Sequence, residues 1–193
     1  LKDLLKSKIL NELNIKLYCI IICENKKKQF YINKLFKDLN LNSFCKLEIT
    51  YKNNYYKEYE GIYKVWSISQ VNKSNLVIYL HGKGISYLSN RFIYIRQPIE
   101  KLIFRLIIWR FKKNLEIMYR IKSISKLGIL SGGNGWLWFN FWIARKSYLS
   151  NLTKPIKTNR ACYYEDWLGR QIINNNEKNK IIYKNDYGDS YPY

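Results

Sequence analysis

The sequence predicts an α/β protein with a mostly parallel central sheet flanked by helices, on three observations. Apolar residues switch between helical and strand periodicity in the order β-α-β-α-β from Ile15 to Leu80. The runs Ile15 to Cys23 and Leu76 to Leu80 are continuously apolar, as buried strands are. Hydrophobic residues make up 47% of 193 residues, enough for one substantial core. No Pro/Gly/Ser-rich linker interrupts the chain, so the expectation is one domain over residues 1–173 with a polar tail over 174–193.

Each element has a local reason. Leu4, Leu5, Ile9, Leu10 and Leu13 recur at helical spacing and Asn14 closes that helix before the first strand. After the polar loop Glu24 to Lys28, the residues Phe30, Ile32, Leu35, Phe36 and Leu39 predict a second helix. From Phe44 to Tyr51 alternation sets Cys45, Leu47, Ile49 and Tyr51 on one face, a strand with one side buried. A third helix over Glu58 to Val71 carries Tyr59, Ile62, Tyr63, Trp66 and Ile68 and leads into the strand Leu76 to Leu80. Pro98 stands in the first turn of a further helix through Ile99, Leu102, Ile103, Leu106, Ile107 and Trp109, with a pattern that continues to Ile121. An apolar segment over Ile124 to Leu130, a glycine cluster and an aromatic stretch follow.

Lys and Arg number 34 against 14 Asp and Glu, a formal charge of +20. Such a charge points to nucleic acid, anionic membrane or a polyanionic ligand. The joint abundance of Lys, Asn, Ile and Tyr (18 Tyr) also fits AT-rich codon usage, which produces charge without a partner. Cys19, Cys23, Cys45 and Cys162 lack the paired spacing of a zinc site, and His81 is the one histidine. Cys19 and Cys23 lie four apart in a strand, roughly 13 Å, too far for a disulfide, so reduced thiols in a cytoplasmic protein are expected. No apolar stretch approaches membrane-spanning length, because Arg105 and Arg110 interrupt the segment from Leu102 to Phe111. The basic amphipathic segment Pro98 to Lys113 offers peripheral contact with anionic lipid, with a helix packed on the sheet as the plainer alternative.

Three patterns carry chemistry. His81-Gly82-Lys83-Gly84 directly follows a strand, where Gly82 and Gly84 permit close backbone approach and Lys83 supplies a point charge suited to phosphate. A plain glycine turn with an exposed lysine is the alternative. Gly132 to Arg145 joins glycines to Trp136, Trp138, Phe141 and Trp142, whose flat faces can cover a sugar, while Asn140 and Arg145 can bond hydroxyls or phosphates. An aromatic core strand is the alternative there. Arg160 to Arg170 holds adjacent carboxylates, Glu165 and Asp166, among aromatics and arginines. One carboxylate can serve as a base while an arginine such as Arg160 holds an anion; an ion-paired helix end is the alternative.

In this order the patterns resemble a family of small glycosyltransferase-like proteins. Its members show a strand ending His-x-Lys-Gly, a helical Trp-Arg, Asn-Phe-Trp-Trp-Ala followed by Tyr-Leu or Tyr-Ile, and Tyr-x-Glu-Asp-Trp-[Ile/Leu]-Gly. The matching residues are His81 to Gly84, Trp109-Arg110, Asn140 to Ala144 with Tyr148-Leu149, and Tyr163 to Gly169, spanning about residues 15 to 170. The chain departs from the pattern at Phe139 and Ile143, where the family more often has Gly and Trp.

The resemblance implies a GT-A-like nucleotide-sugar-binding domain that moves a sugar to a glycan or glycolipid acceptor. Asp166, paired with Glu165, is then the general base of an inverting reaction, His81, Lys83, Gly84 and Arg110 face the donor diphosphate, and Asn140, Trp142, Arg145 and Arg160 face sugar or acceptor. GT-A enzymes usually hold Mn²⁺ or Mg²⁺ through Asp-x-Asp, but His81-Gly82-Lys83 occupies that place. Either His81 binds a metal with an acid from elsewhere, or Lys83, assisted by Arg91 or Arg110, neutralises the diphosphate. The oxygen preference of Mg²⁺ favours the second. Two other readings stand beside the transferase: an RNA-binding protein of ribosomal type that stacks bases on the aromatic stretch, and an inactive transferase homologue.

Overall fold

The computed structural model describes residues 9, 17–23, 26–38, 45–51, 58–71, 75–81, 98, 101–129, 135–137, 140–160, 162–172, 181–183 and 190–191. The architecture is mixed α/β. The chain divides into two compact units, residues 1–61 with 157–159, and residues 62–156 with 160–193.

In the first unit, β1 (Leu17–Cys23) and β2 (Cys45–Tyr51) pair in parallel from Leu17 opposite Cys45 to Cys23 opposite Tyr51. Parallel neighbours need a crossover, and α1 (Lys26–Asp38) supplies it. Phe36 is its buried anchor. The helix starts with three lysines and no acid in its first turn, the reverse of what the positive end of a helix dipole favours.

α2 (Tyr59–Val71) crosses the boundary between the units, and its buried residues Ile62, Val65 and Ser69 belong to the second. Ser69 is tolerated in that stripe because its hydroxyl donates to the Trp66 carbonyl at 2.7 Å. β3 (Leu76–Tyr79) follows, as its apolar run predicts.

The segment after Pro98 is helical from Lys101, but not as one regular helix. Arg105–Trp109 form a wide π turn in which the Arg110 N–H donates to the Arg105 carbonyl at 3.2 Å, and α3 (Phe111–Arg120) continues from it. The wide turn lets Ile107 and Ile108 both face inward with Ile103, Phe111 and Met118. Asn114 interrupts this apolar stripe for a reason. Fully buried, it donates through Nδ2 to the carbonyls of Leu106 at 2.9 Å and Ile107 at 3.0 Å, inside the wide turn.

β4 (Lys126–Gly128) and β5 (Trp142–Arg145) complete the core of a sheet with the order β3-β5-β4-β8, where β8 is Ser190–Tyr191. β5 runs antiparallel to both β3 and β4, and β8 is parallel to β4. Gly128 makes the β4 approach possible, since a Cβ there would stand 2.8 Å from Leu137 Cδ1 and 3.1 Å from the Phe141 carbonyl oxygen. α4 (Lys146–Ser150), α5 (Tyr163–Asp166), a 3₁₀ turn (Trp167–Gly169) and an antiparallel pair of β6 (Arg170–Ile172) with β7 (Ile181–Tyr183) complete the described elements.

The expected mostly parallel sheet is found for β1 and β2, whereas β3 pairs antiparallel with β5. The difference has a topological cause. Alternating strands and helices imply a parallel sheet only when consecutive strands become neighbours, and among the described residues the neighbour of β3 is a strand far along the chain. The stretch 174–193, read as a polar tail, contributes β7 and β8, and Ile181, Ile182 and Tyr183 are the apolar residues that suit it to pairing. The expected helix over Leu4 to Leu13 lies outside the described residues except at Ile9, which is helical and buried.

Two outcomes follow from these contacts. Asn114→Ala leaves the Leu106 and Ile107 carbonyls without their donor and lowers stability by about 3 kcal/mol in equilibrium urea unfolding. Cys19 and Cys162 are both free thiols; burial pushes the Cys19 thiol up from its ordinary value, while Cys162 is exposed. The thiolate is the nucleophile, so iodoacetamide labels Cys162 in the native protein well before Cys19, and peptide mapping by mass resolves the order.

Candidate functional site

The centre of the second unit is β5, whose residues Trp142, Ile143 and Ala144 are fully buried. At the end where Trp142 pairs with Tyr79, the two rings stack at 5.1 Å between centroids. His81 lies just beyond the end of β3 with its ring 6.3 Å from that of Tyr79 and 5.8 Å from that of Phe141. An aromatic layer therefore closes this end of the sheet.

Asn140 links the layer to the acidic helix. Its φ of 52° lies in the left-handed region, which a short amide side chain tolerates and a branched one does not. Its side chain is buried, with Nδ2 donating to the Tyr164 carbonyl at 3.2 Å and Oδ1 accepting from Trp142 Nε1 at 3.4 Å. Tyr164 immediately precedes Glu165 and Asp166 in α5.

α5 is only four residues long, too short to hold itself together, and its surroundings hold it. Tyr164 Oη donates to the Ile156 carbonyl at 3.3 Å, and the Ile156 N–H donates to Tyr163 Oη at 3.0 Å. Trp167 Nε1 donates to the Thr153 carbonyl at 2.8 Å. Tyr148 Oη donates to the Leu168 carbonyl at 2.6 Å and accepts from Lys126 Nζ at 2.6 Å. Lys126 is only 2% exposed and its ammonium also lies 4.6 Å from the centroid of the Tyr148 ring. These bonds fix where Glu165 and Asp166 stand, and both remain partly accessible. The Asp166 carboxylate, with an 18% exposed side chain, is 3.8 Å from the Arg170 guanidinium, which in turn lies 4.5 Å from the Tyr163 ring centroid.

The structure thus brings His81, Asn140, Glu165 and Asp166 into one continuous set of neighbours, through Phe141 and Tyr164. It gives four other predicted residues different surroundings. Trp142 is fully buried, its face given to Tyr79. Arg145 stands at the opposite end of β5, where Nε donates to the Ile124 carbonyl at 2.7 Å and the guanidinium also donates to the carbonyls of Met118 and Ile121. It caps the C-terminal end of α3, where a cation meets the negative end of the helix. Arg110 is exposed at the junction of the π turn and α3, and Arg160 is exposed just before α5. Lys83 and Gly84 lie outside the described residues, as do Arg91, Trp138 and Phe139.

Lys126, Tyr148 and Arg170 adjoin the candidate site and lie beyond the site residues that the motifs predict. The available signal was a lysine in the middle of the apolar run Ile124 to Leu130. Among the described residues no group of three or more His, Cys, Asp or Glu side chains stands together to hold a metal ion, and no helix is long and apolar enough to cross a membrane. Comparison of the chain with protein-family models, with curated proteins and with solved structures finds no match.

Tyr148→Phe keeps the ring but removes both the acceptor of Lys126 and the donor to Leu168. The expected loss is about 3 kcal/mol of unfolding free energy, because two buried partners lose a hydrogen bond at once.

Proposed function

We propose that the chain is a GT-A-like glycosyltransferase, moving a sugar from a nucleotide-sugar donor to a glycan or lipid-linked acceptor, with Asp166 as general base. One observation above the others supports the reading. Residues from three separate motifs are linked through shared neighbours, His81 to Phe141 and Asn140 to the Tyr164 carbonyl that precedes the Glu165-Asp166 pair, and the carboxylates are partly exposed to solvent while the frame around them is buried.

In this reaction Asp166 takes the proton of the acceptor hydroxyl as that oxygen forms its bond to the anomeric carbon. The bond from the anomeric carbon to the diphosphate oxygen breaks, its electron pair leaves with the nucleoside diphosphate, and the configuration inverts. The transition state has oxocarbenium character, so the departing diphosphate needs cations. Lys83 and Arg110 are the residues we assign to it. Arg170, with its guanidinium 3.8 Å from the Asp166 carboxylate, helps to orient it, and Glu165 stands beside it in the chain. Asn140 acts on the acidic helix through the Tyr164 carbonyl, as a positioning residue. Mg²⁺ is commonly held by one or two carboxylates together with substrate phosphates; among the described residues no group of three or more His, Cys, Asp or Glu stands together, and we assign no step to a metal.

The test has two parts. A thermal-shift screen of nucleotide sugars, with and without Mn²⁺, identifies the donor as the compound that raises the unfolding midpoint by mass action. With that donor, Asp166→Asn lowers the transfer rate by about 10²- to 10⁴-fold at unchanged donor binding. Transfer that persists unchanged in Asp166→Asn removes the base assignment, and donor binding without any transfer identifies an inactive homologue.

A further inference from the structure

We propose that the outward face of α1 is a membrane-docking surface for bilayers that carry anionic lipid. Phe36 anchors the inner side of this helix. On its outer side Phe30, Tyr31 and Leu35 are 66%, 58% and 46% exposed. Phe30 and Tyr31 touch edge-on, with centroids 6.1 Å apart, and Leu35 stands one turn beyond Tyr31. Three large apolar side chains thus adjoin one another in water on a helix of 13 residues, an arrangement that marks an interaction surface rather than scattered exposure.

The charges around this patch select the partner. Lys26, Lys27, Lys34 and Lys37 are exposed, and Asp38 is the one acid of the helix. The first turn crowds lysines at the positive end of the helix dipole, a local cost that external anions relieve. A bilayer with anionic headgroups complements both features: ammonium groups meet phosphate and carboxylate in the headgroup layer while the rings and Leu35 reach the acyl boundary. Nucleic acid suits the face less well. Leu35 offers no stacking surface, the two rings stand edge-on to each other, and every cation of the helix is lysine, without the arginine fork that reads bases. With 13 residues the helix lies on a membrane and does not cross it. This inference is independent of the transferase reading.

Co-sedimentation of the full chain with phosphatidylcholine vesicles, with and without phosphatidylserine, tests it at physiological salt. The chain partitions about 100-fold or more in favour of the phosphatidylserine vesicles, from about fivefold for each exposed lysine of the helix. Lys27→Gln with Lys34→Gln lowers that partition about 25-fold, from about fivefold per lysine. Phe30→Ser with Tyr31→Ser lowers it about tenfold, at an unchanged thermal midpoint because both side chains are exposed. Lys112→Gln with Lys113→Gln, the same charge change on α3, alters it by less than about threefold, and Asp166→Asn leaves it unchanged. Equal losses in the two lysine pairs, with Phe30→Ser/Tyr31→Ser unaffected, mean general attraction to a +20 chain and overturn the proposal. Absence of vesicle binding together with saturable single-stranded RNA binding that Phe30→Ser/Tyr31→Ser abolishes also overturns it, in favour of nucleic acid.

Discussion

Enclosing an ammonium group inside a sheet costs several kcal/mol unless its protons and charge find partners, and the second unit is arranged around such a group. Lys126 projects from β4 into the interior, where its ammonium donates a hydrogen bond to the Tyr148 hydroxyl at 2.6 Å and the ring lies against its charge. The same hydroxyl donates onward to the Leu168 carbonyl. One side chain therefore ties a strand, the helix that follows the central strand, and the turn behind the acidic pair. A displacement of any of the three leaves a buried donor or acceptor unmatched, so they are coupled more tightly than apolar packing alone would couple them.

The same economy governs the ends of β5. At one end Asn140 uses an unusual backbone conformation to turn its amide toward both Trp142 and Tyr164. At the other, Arg145 gathers the carbonyls of Met118, Ile121 and Ile124 at a helix terminus and the turn that follows it. Polar residues inside a motif thus serve two distinct ends. Asn140 and Arg145 hold the frame, and the carboxylates of Glu165 and Asp166 keep part of their surface in solvent.

Much of this was legible in the sequence because periodicity reports burial. The runs Leu17 to Cys23, Cys45 to Tyr51 and Leu76 to Tyr79 are strands, and Tyr59 to Val71 is a helix, where the apolar spacing puts them. The neighbour of β3 was not legible, since a run such as Leu-Val-Ile-Tyr carries no mark of the strand it will pair with or of its direction. The roles of Trp142 and Arg145 were hidden for a related reason. An indole and a guanidinium serve equally well against a sugar and against a protein's own rings and carbonyls, and only the fold discloses which is present. Asn114 and Lys126 were visible as polar interruptions of apolar stripes, but what they bond could not be read from their own neighbours in sequence.

The wide turn at Arg105–Trp109 bears on how this chain can vary in length. Ile103 and Phe111 are eight positions apart, an offset of about 80° around a regular α-helix, yet both face inward. Counting one position as absorbed by the wide turn brings them within about 20° of each other. The helix thus carries one residue more than its inner stripe requires. A chain shorter by one residue at this place keeps both halves in phase with the core, whereas a loss elsewhere in α3 turns every later side chain away from it. The stretch 105–109 is where the helix can shed a residue, and Asn114 is the side chain that such a shortening would release from its present duty.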